Sequence, residues 1–100
     1  MKKILNYING NHSANSNEFL DVENPAIGEK ISEVVLSDNS DFLKVIESAT
    51  KSQSLWSSYT PLRRSRIISN FKVLIEKDMD NLAKLICEEH GKTFEDAKGS

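Results

Sequence analysis

TPLRRSRIISNFKVLIEKDMDNLAKLICEEHGKTFEDAKGS, residues 60–100, is the stretch whose reading decides the fold. Thr60 stands at an N-cap position, and Pro61 follows at the first helical position, where its missing N–H costs nothing. The helix that starts there is expected to bury Ile67, Phe71, Leu74 and Ile75. The chain turns near Asp78, and a further helix sets Met79, Leu82, Ala83, Ile86 and His90 on one face. Gly91 suits the left-handed position that closes a helix, and Thr93 with Asp96 has the spacing of a capping box that opens the next. Residues 88–99, EEHGKTFEDAKG, are thus an architectural elbow: one helix stops, the backbone turns, another helix is capped.

Upstream of the elbow the pattern changes from helical to extended. Residues 4–8 are a short β-prone run, and Asn9-Gly10 after them is a hairpin signal, because both residues tolerate positive φ. Residues 12–18, HSANSNE, are polar and without period, so they read as a surface loop. Residues 19–23 read as a strand closed by Asn24-Pro25, Gly28 allows a turn, and residues 30–36 supply the returning arm with Ile31, Val34, Val35 and Leu36. Ser37-Asp38-Asn39-Ser40 are good N-cap residues and open the first helix. Along that helix Phe42, Val45, Ile46, Ala49 and Trp56 fall on one face, Glu47 and Lys51 form an acid-first i,i+4 pair, and Ser57-Ser58-Tyr59 ends it. The expectation is two β-hairpins over residues 4–36 followed by three to four helices over residues 38–100. Two hairpins have too few strands for a substantial sheet, so the helix faces lack a cover and the chain reads as part of something larger.

Composition bounds the function. One hundred residues make at most one domain, which at this size buries roughly 60–70% of the surface its unfolded chain exposes. With 38% apolar and 28% charged residues this is ordinary globular material, and a net charge of −2 argues against nucleic acid. Residues 1–5 begin like a charged leader, but Asn6, Asn9, Gly10 and Asn11 interrupt the apolar run, so export is not expected. No run reaches the ~20 apolar residues of a membrane span. The single cysteine, Cys87, leaves no internal disulfide and fits a cytoplasmic location.

Four groups invite a chemical reading, and each has a stronger structural one. Cys87 lies near the C-terminal end of a helix, with Glu88 and Glu89 beside it, a setting that disfavours a thiolate. His90 complements the negative end of the same helix. Glu88 and Glu89 point about 100° apart and do not converge as an acid–base pair. Arg63, Arg64 and Arg66 form a small basic cluster, and Arg63, Arg66, Asn70 and Lys77 recur along one side of the helix, which reads as a solvated or ion-paired face. Gly91-Lys92-Thr93 matches the end of a phosphate loop, but Ile86 stands where that loop needs its first glycine. No residue is assigned a catalytic, cofactor-binding or metal-ligating role.

Residues 6–10 (NYING), 21–29 (DVENPAIGE) and 34–37 (VVLS) resemble the opening of an aldehyde dehydrogenase superfamily member. Trp56, residues 60–66, residues 81–86 (NLAKLI), residues 89–93 (EHGKT) and residues 96–99 (DAKG) are similar in particular to the CoA-acylating methylmalonate-semialdehyde dehydrogenases. The likeness runs over nearly the whole chain but only about the first fifth of a typical member. His12, Ile27, Val35 and Ser69 depart from the family, which there favours tryptophan, threonine, proline and a large apolar residue.

The resemblance implies an α/β fold, with this chain as the incomplete N-terminal part of a Rossmann-like NAD-binding domain, residues 1–100. The parent subunit would add a catalytic domain and an oligomerisation arm and assemble as a homo-oligomer, a tetramer. It implies oxidation of methylmalonate or malonate semialdehyde with NAD and CoA. In that reaction a cysteine thiolate attacks the aldehyde, hydride passes to NAD, and the acyl group, after decarboxylation, is transferred to CoA as propionyl-CoA or acetyl-CoA. The residues that do this lie downstream of position 100 in the family; Cys87 does not match the nucleophile, and neither NAD nor CoA is expected to bind these residues alone. Two other readings stay open: a non-acylating branch that releases free acid, and a self-contained helical module that binds proteins.

Overall fold

A computed structural model describes residues 2–100; Met1, the first residue of the charged opening, lies outside the described residues. The strands are β1 (Lys2–Ile4), β2 (Asn6–Ile8), β3 (Asn11–Ser13), β4 (Phe19–Asn24) and β5 (Glu29–Val35). The helices α1 (Asn39–Ser58), α2 (Pro61–Lys77), α3 (Met79–His90) and α4 (Phe94–Lys98) follow. The chain divides into two compact units, one holding the residues up to Val22 with Ser32–Tyr59, the other Glu23–Ile31 with Thr60–Ser100.

In the first unit the apolar run expected over residues 4–8 is split at Leu5. β1 pairs in parallel with β5, in the register Lys2↔Ser32, Lys3↔Glu33 and Ile4↔Val34, and β5 lies next to β4 in the order β1-β5-β4. β2 instead pairs antiparallel with β3, setting Asn6↔Ser13, Tyr7↔His12 and Ile8↔Asn11 around the two-residue turn Asn9-Gly10. Both turn residues have positive φ, 51° and 79°, the combination that matches the twist of a tight hairpin. His12 and Ser13, read from sequence as the start of a loop, therefore belong to β3. The Tyr7 and His12 rings meet edge to face across this ribbon, 5.1 Å between centroids. Val35 and Ser32 of β5 are buried.

The connection after β3 is tied to the start of α1 by one carboxylate. Asp41, 2% exposed, accepts the N–H of Asn15 on Oδ1 at 2.6 Å and the N–H groups of Ser16 and Asp38 on Oδ2 at 3.2 and 3.1 Å. Asp38, the N-cap, returns the bond by accepting the N–H of Asp41 at 2.9 Å and also takes the Asn15 amide at 3.0 Å. A capping box thus closes at Asp38–Asp41 and is extended to a loop more than twenty residues upstream. The Asn15 N–H first, and the Asp38 N–H next, hold the Asp41 carboxyl below its ordinary value of 3.8, against burial, which works the other way. At the far end of α1 the half-buried Trp56 meets Tyr59 edge to face at 6.0 Å.

In the second unit the turn between β4 and β5 is closed by Asn24, whose carbonyl accepts the N–H of Gly28 at 2.8 Å and whose side chain accepts the N–H of Ala26 at 3.0 Å. α2 starts as expected, with Thr60 Oγ1 accepting the N–H of Arg63 at 3.2 Å and Pro61 in the first turn. α3 ends at Gly91, φ 77°, whose N–H donates to Cys87 at 2.9 Å. Thr93 Oγ1 caps α4 through the N–H of Asp96 at 3.3 Å. Ala83 and Ala97 are buried where α3 and α4 meet.

The burial expected of four residues on α2 is the main correction, whereas the exposure of the other helix faces agrees with their expected lack of cover. Ile67, Phe71, Leu74 and Ile75 of α2 are all exposed, Phe71 to 58% and Leu74 to 62%, and α2 has no buried residue. On α1, Phe42, Val45 and Ile46 are exposed too; on α3 only Ala83 of the expected face is buried, Ile86 is half-buried, and Met79, Leu82 and His90 are exposed. The stripes are real, but burying a stripe requires a second surface, which the described residues do not supply.

Hydrogen exchange and stability measurements check the local tethers. Asp41→Asn is expected to strip the Asn15, Ser16 and Asp38 amides of hydrogen-exchange protection while leaving the Asn9-Gly10 hairpin intact; unchanged protection would contradict the tether. Because the folded carboxyl is held below its ordinary value, its contribution is full above pH 3.8 and is lost as pH falls through the lowered value, so protection of these amides should fade only in that acid window. Gly91→Ala is expected to cost about 1–2 kcal/mol at the α3–α4 elbow, since alanine is strained at this φ. Its Cβ would also stand 3.1 Å from the Pro25 side chain. Wild-type protection of the Ala97 amide, which bonds Thr93, in this variant would refute the argument.

Candidate functional site

The stretch most like a ligand cradle is residues 91–93, and its bonds run elsewhere. Lys92 Nζ donates to Ser100 Oγ at 2.8 Å, and Ser100 Oγ donates to the Asp96 carbonyl at 3.2 Å, so the lysine ties off the far end of α4. Gly91 is needed for its φ and for its approach to Pro25 and Ala26, not for room around a phosphate. Lys98 lies over the Phe94 ring at 5.2 Å and 3.6 Å from Asp80, which stitches α4 to the first turn of α3.

The other residues weighed for chemistry stay apart. Cys87 is a half-buried free thiol, Glu88 is half-buried, and Glu89 and His90 are exposed. Arg66 is exposed, whereas Arg64, on another side of α2, is half-buried with its Nε lacking a hydrogen-bond partner. Glu47 and Lys51 do pair as expected, at 3.2 Å, on a solvated face where such a pair contributes about 0.3–0.5 kcal/mol. No cluster of three or more His, Cys, Asp or Glu among the described residues suits a metal ion.

Both units carry clefts, of which two have a partly apolar lining. In the first, a space of about 390 Å³ beside the β2–β3 ribbon is lined by Ile8, Asn11, Ser13, Lys44, Glu47 and Lys51. In the second, a space of about 310 Å³ is lined by Ile75, Met79, Leu82, Ile86 and Ala97. Neither brings a nucleophile to a base, and neither has a glycine-rich turn at a helix N-terminus to receive a pyrophosphate. The polar group that sequence reading missed is Asp41, and its signal was present: Asp38 and Asp41 have the same three-residue spacing that marks Thr93 and Asp96. Among the described residues no helix is long and apolar enough to cross a membrane.

With no reacting constellation in hand, likeness to other proteins carries the assignment. The aldehyde dehydrogenase family model matches residues 12–100. A malonate-semialdehyde dehydrogenase of Pseudomonas aeruginosa is 38% identical over 99 residues, covering 99% of this chain and 20% of the relative. An acylating methylmalonate-semialdehyde dehydrogenase of Arabidopsis thaliana, a mitochondrial protein, is 37% identical over 98 residues, covering 97% of this chain and 16% of the relative. Among solved structures, a chain from Sinorhizobium meliloti 1021, assigned as a methylmalonate-semialdehyde dehydrogenase and complexed with NAD, superposes with a TM-score of 0.96. It is 35% identical, and the match covers 99% of this chain and 20% of that one. The chain thus spans about a fifth of the length of the relatives it matches, and over that span it has their mixed α/β fold. On sequence and fold together, the chain belongs to the aldehyde dehydrogenase family.

Proposed function

We propose that these 100 residues are the opening scaffold of an NAD-dependent, CoA-acylating semialdehyde dehydrogenase. The whole enzyme would convert methylmalonate or malonate semialdehyde, CoA and NAD to propionyl-CoA or acetyl-CoA, CO2 and NADH. The observation that carries this reading is the near-complete superposition on the NAD-complexed relative. The acylating name of a second relative and the malonate and methylmalonate semialdehyde names of both curated ones support the substrate class.

Within that enzyme these residues supply architecture. As the first part of a Rossmann-like NAD-binding domain they would offer the exposed stripes of α1 and α2 to strands and helices later in the same chain, and the assembled subunit would form a homo-oligomer, a tetramer. Their partners are the rest of the chain and, through it, a small semialdehyde, NAD and CoA, in the cytoplasm. Cys87 is a packing thiol in this reading, and Asp41 holds a loop.

The purified full-length gene product, given malonate or methylmalonate semialdehyde with NAD and CoA, is expected to form NADH together with acetyl-CoA or propionyl-CoA. Formation of the free dicarboxylic acid without a need for CoA would reject the acylating branch. Cys87→Ser in the same protein is expected to keep kcat within about twofold, because a thiol that only packs is replaced at small cost; a thousandfold loss would make it the nucleophile. Calorimetric titration of the 100-residue chain with NAD is expected to show no saturable heat, and saturable binding would overturn its scaffold role.

A further inference from the structure

We draw no further inference here: the strongest candidate, the apolar cleft between α2, α3 and α4 lined by Ile75, Met79, Leu82, Ile86 and Ala97, is an unpartnered apolar surface, and nothing in the structure shows what covers it.

Discussion

Apolar side chains on a helix stabilise a protein only when something takes them out of water, and on α2 that condition is only partly met. Full burial of a side chain such as leucine or phenylalanine is worth about 1.5–3 kcal/mol. Ile67, Phe71, Leu74 and Ile75 are left 40–62% exposed, so roughly half that gain is forgone at each. Summed over the four, the shortfall is ~3–6 kcal/mol, comparable with the whole stability margin of a small domain. Most helical stability in proteins comes from packing of an amphipathic face, so α2 gains from any surface that covers its stripe.

What the chain does settle within itself is local. The Asn9-Gly10 turn, the Thr60 and Thr93 caps and the Gly91 elbow each satisfy backbone groups with atoms no more than a few residues away. Asp41 reaches further, gathering three N–H groups from two segments on one carboxylate, and so orders a stretch that has no strand or helix of its own. An ionised carboxylate suits this task because it only accepts, and all its partners here donate.

This division between local and distant explains how much could be read from the sequence. Caps and turns were legible because Thr, Pro, Asn and Gly act through φ or through a neighbour's N–H, and the helix bounds followed from them. The break at Leu5 was not legible, since the parallel partner of Lys2–Ile4 lies thirty residues on and the run itself looks continuous. His12 and Ser13 were hidden for a related reason: polar residues enter a strand when a turn dictates the register. Burial was misjudged on α2 because periodicity shows which face is apolar, not whether a partner is at hand. The candidate site residues Cys87, His90 and the arginines were visible as residue types. Only the structure could show that Lys92 turns back to Ser100 and that Gly91 is held against Pro25. Family membership was legible in residues 21–29 and 89–99 because these encode turns and an elbow that the common fold needs.

The central claim is that the helix stripes require cover from protein beyond these 100 residues. Calorimetry of the isolated chain, with light scattering and a dye that reports exposed apolar surface, tests it most directly. The account predicts dye binding with self-association or a broad, uncooperative transition. A monomer that binds no dye and melts in one sharp step, with matching calorimetric and van't Hoff enthalpies, would contradict it and favour a self-contained module.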